Sequence, residues 1–345
     1  MLKVGLIGIG FMGRGHLDQY LRLAEEGAPI QLEAICDIDP DKFNNVFVPG
    51  NLDVGAGPYD FSPYRLYTDM EDLFQHESGL DYVDIALPTY LHPKASIRAM
   101  RAGFHVLCEK PMALTPELCQ SMIDASQETG KTLMIAQCLR FWPAYETLKA
   151  TVDGGTLGRV TGGYFFRGGR TPAWSYEEWL MDEARSGGCI MDQHVHDVDT
   201  IQWLFGPAEA VSTLAQNVIP GAGCDIISTH YRYPGMVINA QDDWSMNANV
   251  PFSMTFRVNF EHGTLIWDGA DTLTIYADGQ EPVVADNCQG DSGYYREIRY
   301  FADCLEKGVQ PDRATLESTK RTIAIATRER ESARQRGAWL SLDVE

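Results

Sequence analysis

The sequence predicts an α/β fold: an N-terminal Rossmann domain with a doubly wound parallel sheet, then a C-terminal α+β domain with a large open, mainly antiparallel sheet. Short apolar runs alternate with helix-length segments over residues 1–137, which indicates a parallel sheet covered on both faces. A GxGxxG turn directly follows the first apolar run. Beyond residue 137, strand-like runs separated by glycine turns follow one another, which is typical of an antiparallel sheet.

The elements of the first part alternate between strand and helix. Strands are predicted at residues 3–7, 31–36, 83–87, 104–108 and 132–136, and helices at 11–26, 93–102 and 116–129. Residues 40–67 interrupt this order with a stretch rich in proline, glycine and aromatic residues. We interpret them as one long loop that covers the cofactor edge or makes a subunit contact, because loops of this length are usually functional.

The second part is dominated by strands. Its helices are predicted at 143–152, 190–204, 293–307 and 313–335, and its strands at 160–168, 209–217, 226–233, 236–245, 252–260, 263–268 and 271–277. A chain of 345 residues exceeds what one core usually supports. We therefore expect two domains, residues 1–137 and 138–345.

Composition restricts the class of protein. The net charge of −20 argues against binding to nucleic acid or an anionic membrane and favours a neutral or cationic small substrate. No run approaches the roughly 20 apolar residues of a membrane helix, and residues 1–4 lead into a strand without signal-peptide features. The eight cysteines, Cys288 among them, form no CxxC pair, so we expect reduced thiols in a cytoplasmic protein.

The glycine turn predicts a dinucleotide site. Gly8 permits the tight turn, Gly10 lets the backbone approach a pyrophosphate, and Gly13 lets the helix pack close to the sheet. Phe11 and Met12 lie between these glycines at the helix N-terminus, whose free amides attract phosphate. The alternative is a glycine-rich turn in a flavodoxin-like domain without a dinucleotide.

The second strand carries the residue that discriminates between cofactors. Asp37 follows this strand, 24 residues after Gly13. A carboxylate there accepts hydrogen bonds from the ribose hydroxyls and repels a 2′-phosphate. No arginine or lysine follows before Lys42. The sequence therefore predicts NAD as the cofactor in preference to NADP.

Two later strand ends face the nicotinamide half of such a site, because ligands of doubly wound sheets bind at the carboxyl ends of strands. The predicted cofactor contacts there are Pro88, Thr89, His92, Glu109 and Lys110. Pro111 restricts Lys110 to an extended backbone. Taken alone, a lysine at this position is more often a solvated surface residue.

The motifs IGIGFMG, AICDID, LPTYLHP, GFHVLCEKPMAL and SGGCIMDQHVHDVD resemble, in order and spacing, those of the glucose–fructose oxidoreductase, inositol dehydrogenase and rhizopine-catabolism (Gfo/Idh/MocA) family. The resemblance covers nearly the whole chain. It implies an NAD-binding domain followed by a substrate-binding domain whose open sheet makes a homo-oligomer interface, in a dimer or tetramer. It also implies oxidation or reduction of a secondary alcohol on a sugar, a cyclitol or a glycoside.

The resemblance assigns three catalytic residues. Lys110 contacts the nicotinamide ribose and the substrate hydroxyl, Asp192 holds the substrate, and His196 is the general acid/base. If residues 190–204 form one helix, Asp192 and His196 lie on one face, four residues apart. A near-neutral histidine suits proton abstraction from an alcohol, and a lysine ammonium stabilises the developing alkoxide.

His194 departs from the family pattern, which usually has glycine at this position. On an extended backbone Asp192, His194 and His196 would share a face and form a metal triad. On a helix His194 turns about 200° away from Asp192. We favour the helix, with no metal, and with His194 lining the substrate pocket.

Several weaker candidates remain open. Arg140 lies near the nicotinamide and the substrate in the family, or it caps the domain junction. Arg167 and Trp174 flank the substrate cleft, although Trp174 is equally an interface residue. His16, on the first helix, lies near the pyrophosphate or is structural.

Three functions fit the sequence. The first is an NAD-dependent dehydrogenase that acts on CH–OH groups. The second is a redox-neutral enzyme that oxidises a sugar at its 3-position, eliminates a substituent and keeps its NAD tightly bound. The third is a non-catalytic NAD-binding sensor. Retention of Lys110, Asp192 and His196 together argues against the sensor.

Overall fold

The computed structural model describes residues 1–50, 54–55, 57–247, 250–269, 272–285 and 291–342. The chain forms two compact units. The first comprises Met1–Gln137, Trp174–Glu177 and Tyr294–Lys320; the second comprises Cys138–Ala173, Glu178–Gly293 and Arg321–Glu345. Two segments of the expected second domain thus belong to the first unit. Cys288 lies outside the described residues, as do residues 51–53 and 56 of the predicted loop.

The helices follow the predicted order, except that the helix over residues 190–204 is divided, as described below, and that two short helices, at 70–76 and 183–186, were not predicted. They are α1 (Phe11–Glu25), α2 (Met70–His76), α3 (His92–Ala102), α4 (Pro116–Thr129), α5 (Pro143–Gly154), α6 (Glu183–Ser186), α7 (Gly188–Asp192), α8 (Val195–Phe205), α9 (Gly293–Lys307) and α10 (Leu316–Arg334). Among the described residues, none of these helices is both long and apolar enough to cross a membrane.

The first unit contains a six-stranded sheet in the order β3-β2-β1-β4-β5-β6, with every neighbouring pair parallel. This is the strand order of a Rossmann fold, and it confirms the predicted doubly wound sheet. The strands are β1 (Leu2–Ile7), β2 (Ile30–Cys36), β3 (Arg65–Tyr67), β4 (Tyr82–Ile85), β5 (His105–Glu109) and β6 (Leu133–Ala136).

The segment predicted as one long loop, residues 40–67, contains regular structure. A 3₁₀ helix spans Pro40–Asn44, and β3 adds to the edge of the sheet. The prediction missed β3 because two of its three residues are exposed, so that it carries no apolar run. Tyr59 and Phe61 pack into the hydrophobic core with Leu6 and Ile35. The segment is therefore anchored to the sheet by its aromatic residues.

The second unit contains a nine-stranded sheet in the order β14-β13-β12-β11-β7-β10-β9-β8-β15. Its pairs are antiparallel except for the parallel pair of β7 and β10, which confirms the predicted mainly antiparallel sheet. The strands are β7 (Val160–Arg170), β8 (Ala210–Gln216), β9 (Ile226–Tyr233), β10 (Met236–Met246), β11 (Ser253–Phe260), β12 (Gly263–Trp267), β13 (Leu273–Ala277), β14 (Val283–Val284) and β15 (Leu340–Ser341).

One face of this sheet is covered by helices. Tyr145 of α5 packs against Phe256 and Trp267, with ring centroids 5.1 and 5.3 Å away. Phe165 of β7 contacts Phe256, with ring centroids 6.2 Å apart and ring planes tilted by 40°. Edge-on and tilted aromatic pairs of this kind add to the free energy of burial. They join α5 to the middle strands of the sheet.

Candidate active site

The glycine turn between β1 and α1 is built for close approach. Gly8 has a φ of +92°, and a Cβ on Gly13 would lie 1.8 Å from the carbonyl oxygen of Gly8. A Cβ on Gly10, by contrast, would meet nothing within 4 Å. Gly8 and Gly13 are therefore required by the fold, whereas the space above Gly10 is open. Since α1 begins at Phe11 without a side-chain cap or an acidic first turn, its amides suit a pyrophosphate.

Asp37 is bonded to the same turn. Its carboxylate accepts the N–H of Ile9 at 2.8 Å and that of Asp39 at 3.0 Å. The ammonium of Lys42 lies 2.9 and 3.0 Å from the two carboxylate oxygens. The carboxylate is thus fixed beside the glycine turn, where the sequence analysis expects the ribose. The sequence did not predict that Lys42 would neutralise it.

His92 connects two of the predicted cofactor loops. Its ring is buried, with Nε2 2.7 Å from the carbonyl oxygen of Leu87 and Nδ1 2.8 Å from that of Pro111. Burial lowers the pKa of His92, and hydrogen bonds to the two carbonyls only partly oppose this effect. The ring therefore ties the loop with Pro88 and Thr89 to the loop after β5.

Lys110 follows the last residue of β5. Its N–H donates to Oε2 of Glu109 at 2.9 Å, and its peptide bond to Pro111 is cis. The lysine side chain is half-buried, whereas Glu109 is buried. Lys110 is thus placed at the carboxyl end of the sheet, the end at which ligands of this fold bind.

The prediction of one helix over residues 190–204 is wrong. Helix α7 ends at Asp192 and α8 begins at Val195, with residues 193 and 194 forming a turn between them. The N–H groups of both His194 and Gln193 donate to the carbonyl of Cys189. Asp192 and His196 therefore flank a helix break instead of sharing one helical face. Both are half-buried, whereas residues 193–195 between them are buried.

His194 is enclosed in the second unit and does not line a pocket. Its ring is fully buried, with Nδ1 2.5 Å from Oδ2 of Asp242 and Nε2 3.0 Å from Oε2 of Glu329. Burial opposes protonation, but the charges of Glu329 and Asp242 outweigh it and raise the pKa of His194 well above its ordinary value. The ring is therefore an imidazolium held by two carboxylates.

The alternative metal triad also loses its basis. His194 has a φ of −65° and a ψ of −27°, which is not the extended backbone that would bring Asp192, His194 and His196 to one face. Within the described residues, the side chains whose ligand atoms lie close enough together to hold a metal ion are a different set, in the first unit: His16, Glu109 and Glu297.

Both predicted site arginines are buried in the second unit and bind carboxylates of α8. Arg140 donates two hydrogen bonds to Asp199, at 2.8 and 2.7 Å. Arg167 lies 3.2 and 3.3 Å from the oxygens of Asp197. Burial raises the pKa of Asp197 to about 6, although Arg167 opposes the shift. The structure therefore gives these arginines a role in holding α8, which carries His196.

Trp174 lies in the short segment that groups with the first unit, and it is half-buried. Nearby in this segment, the ring of Tyr176 lies 5.4 Å from the ammonium of Lys42. The sequence predicts Trp174 beside the substrate cleft of the second domain or, equally, in an interface. In the structure it belongs with the unit that contains Asp37.

Two curated proteins are similar to this chain. The levoglucosan dehydrogenase of Pseudarthrobacter phenanthrenivorans is 29% identical over 240 residues, covering 66% of this chain and 58% of that protein. The inositol 2-dehydrogenase of Salmonella typhimurium is 29% identical over 205 residues, covering 59% and 54%. The matches thus span little more than half the length of these relatives.

A solved structure shows the same fold over the whole chain. The levoglucosan dehydrogenase in complex with NADH and levoglucosan superposes with a TM-score of 0.85 at 20% identity, and the match covers 99% of this chain and 100% of that one.

Two family models match in sequence. Residues 2–137 match the oxidoreductase family with an NAD-binding Rossmann fold, and residues 145–266 match the GFO/IDH/MocA C-terminal domain. Together with the glycine turn and the six-stranded parallel sheet, these matches show that the chain belongs to the Gfo/Idh/MocA oxidoreductase family and carries its NAD-binding Rossmann domain.

Proposed function

We propose that this chain is an NAD-dependent dehydrogenase that moves a hydride between a secondary alcohol of a sugar, cyclitol or glycoside and the nicotinamide. The observation that carries the proposal is the placement of three residues. Lys110 is fixed at the carboxyl end of β5. Asp192 and His196 are the half-buried residues that flank the buried helix break at His194. A side chain that reacts must be both positioned and accessible.

The roles of the three residues follow from their chemistry. When bound, NAD supplies the hydride acceptor. His196 takes the proton of the substrate hydroxyl, because an imidazole has a pKa suited to that transfer near neutral pH. The ammonium of Lys110 stabilises the negative charge that develops on the substrate oxygen. The carboxylate of Asp192 accepts hydrogen bonds from substrate hydroxyls and thereby orients the ring.

The similar proteins support the class of substrate. By name, one acts on the anhydrosugar levoglucosan and another on the cyclitol inositol, and both are ring polyols. The net charge of −20 also favours a neutral polyol over a polyanionic substrate. We therefore propose an uncharged ring polyol as the substrate, with NAD as the cofactor because of Asp37.

The open sheet supports a homo-oligomer. Large apolar side chains project from its uncovered face on four strands: Leu214, Val237, Ile266 and Tyr276 are 62%, 70%, 38% and 43% exposed. An exposed apolar patch of this kind marks an interaction surface. We propose that a second copy of the chain covers this face.

The test is a substrate panel. The protein is incubated with NAD and polyols, free sugars, anhydrosugars and glycosides, and NADH is followed by absorbance while products are analysed by mass spectrometry. NADH formed in step with an oxidised product supports the dehydrogenase. Product formed without net NADH identifies the redox-neutral enzyme instead. If the protein binds NAD but forms no product with any compound of the panel, the non-catalytic sensor is the function that remains of the three.

Variants test the assigned roles. Lys110→Ala and His196→Ala should each lower kcat by about 10²- to 10⁴-fold, the usual contribution of such groups, and leave NAD affinity within a few-fold. Lys94→Ala and His262→Ala replace exposed residues of the same types and serve as matched controls. Turnover near that of the controls in either active-site variant would contradict its assigned role.

A further inference from the structure

A buried ionic cluster lies inside the first unit, next to Lys110. It joins His16 of α1 to Asp84 of β4 and Glu109 of β5, with Glu297 of α9 beside them. All four side chains are at most 5% exposed. Nδ1 of His16 lies 2.8 Å from Oδ2 of Asp84, and Nε2 lies 3.0 Å from Oε1 of Glu109. The cluster thus connects the helix that follows the glycine turn to the strand that precedes Lys110.

The partners of His16 define its charge state. An ionised carboxylate only accepts hydrogen bonds, so the ring donates at both nitrogens only as an imidazolium. The second partner of Asp84 also fits an ionised carboxylate, because the hydroxyl of Tyr20 donates to it at 2.8 Å. Burial alone would lower the pKa of His16, but Asp84 and Glu109 outweigh it and raise this pKa well above the ordinary value.

Glu297 is the unusual member of the cluster. Its side chain is fully buried, and neither carboxylate oxygen has a hydrogen-bond partner within the described part of the chain. One of its oxygens lies within 4.8 Å of ligand atoms of both His16 and Glu109. Burial, followed by the charge of Glu109, raises the pKa of Glu297 well above its ordinary value. A protonated acid avoids a third buried negative charge beside Asp84 and Glu109.

Glu109 transmits the contact to Lys110. One carboxylate oxygen faces the ring of His16, and the other accepts the N–H of Lys110 at 2.9 Å. Burial would raise the pKa of Glu109, but the hydrogen bond and charge of His16 and the charge of Lys110 lower it. The ionised carboxylate therefore bridges an imidazolium and the backbone of the residue that we place at the reacting oxygen.

We propose that His16 is a positioning residue for Lys110. As an imidazolium held between Asp84 and Glu109, His16 fixes the Glu109 carboxylate, and this carboxylate in turn fixes the backbone of Lys110. Glu297 remains a protonated acid beside them. The inference rests on the proposed function for its catalytic consequence, although the geometry stands without it. Because α1 also presents its N-terminus to the cofactor, the buried ionic cluster fixes the position of Lys110 relative to the cofactor-binding turn.

The test compares three variants. His16→Gln removes the cation, Glu109→Gln keeps the shape of the bridge but removes its charge, and Glu297→Gln mimics a protonated acid. The first two should lower kcat by about 10²-fold, the cost of a misplacement of about 1 Å, and leave the KM for NAD within a few-fold. Glu297→Gln should retain kcat within about twofold. A loss confined to KM, or an unchanged kcat in both of the first two, overturns the proposal.

A second readout does not depend on turnover. Hydrogen exchange of the peptide that contains residues 105–112, measured by mass spectrometry, reports the protection of the Lys110 amide. We expect faster exchange in His16→Gln and in Glu109→Gln, with melting temperatures that show both variants to be folded. Wild-type exchange rates in both would overturn the inference. If the wild-type protein turns over no substrate, the proposed function fails, and the exchange experiment still decides the positioning role.

The proton on Glu297 has its own test. Because its pKa is raised in the folded protein, Glu297 costs stability as pH rises above about 4.5, its ordinary value. Glu297→Gln should therefore leave the free energy of unfolding at pH 8 unchanged or higher. A divalent metal ion bound by His16, Glu109 and Glu297 is the competing arrangement. Stoichiometric zinc or another transition metal in the purified wild-type protein, lost together with stability in Glu297→Gln, would overturn the protonated assignment.

Discussion

Replacing His194 by alanine tests whether this residue holds the second unit together. The ring lies between Asp242 and Glu329, and all three side chains are fully buried. The substitution removes the imidazolium that lies between these two carboxylates and leaves a cavity in its place. Glu329 and Asp242 then lose the positive charge that both of them contact. Since β10 carries Asp242 and α10 carries Glu329, three elements lose their common contact.

The magnitude follows from the burial of the pair. Removing one partner of a buried ion pair costs about 3–5 kcal/mol, because an uncompensated charge remains. For a domain of this size, a change of 1 kcal/mol shifts Tm by about 2–4 °C. His194→Ala should therefore lower the melting temperature of the second unit by about 6–20 °C.

Differential scanning calorimetry and urea unfolding at pH 6 are the appropriate measurements. The raised pKa of His194 means that its contribution is complete below the ordinary histidine value of 6.5 and declines as the pH rises through the folded-state pKa. His262→Ala is the matched control, because His262 is exposed and only 3.5 Å from the equally exposed Asp278. Surface substitutions usually change stability by less than about 0.5 kcal/mol. If the free energy of unfolding of His194→Ala differs from that of the control by less than this amount, the ion pairs of His194 do not stabilise the second unit.

Two further predictions concern the cofactor and the assembly. Asp37→Ala should raise the ratio of kcat/KM for NADP to that for NAD by about tenfold, or about 1.4 kcal/mol. The substitution removes a charge that repels the 2′-phosphate and leaves Lys42 to pair with that phosphate. A ratio equal to that of the Asp41→Ala control would show that Asp37 does not contact the ribose. The double variant Val237→Glu and Leu214→Glu, on the uncovered face of the nine-stranded sheet, should lower the mass found by light scattering to that of the monomer. Val309→Glu, at an exposed apolar residue of the other unit, should leave the mass unchanged. An unchanged mass in the double variant would exclude the uncovered sheet face as the interface.

Most predictions that depend on local periodicity are confirmed, with the single helix over residues 190–204 as an exception. Strand–helix alternation and the glycine turn predicted the Rossmann sheet, because buried parallel strands appear in the sequence as short apolar runs separated by helix-length segments. The same holds for β7 to β13, whose residues alternate between a buried and an exposed face. The glycines at positions 8 and 13 were assigned from spacing alone, and the structure shows that a Cβ at either would collide with backbone oxygen. For Gly13 that oxygen belongs to Gly8, five residues away, so this steric requirement is readable from the sequence, whereas for Gly8 it belongs to the distant Ala86.

Pairings between distant residues were decided by the tertiary structure. Arg167 and His194 were predicted to face a ligand, and Arg140 either to face a ligand or to cap the domain junction. Each is neutralised by a buried carboxylate that the sequence places 30 to 135 residues away. The helix break also lies at His194, whose ring contacts Asp242 and Glu329, and these distant partners leave no trace in the helical pattern of the sequence.

The sequence by itself determined the fold and the dinucleotide turn, since each of these is encoded in a local pattern or a motif. Only the tertiary structure decided which ionisable groups are partners. It showed that Lys42 neutralises Asp37, and that His16 and His194 each lie between two buried carboxylates. A charge in a low-dielectric interior is stable only beside its counter-charge, and which counter-charge lies beside it is a property of the folded chain.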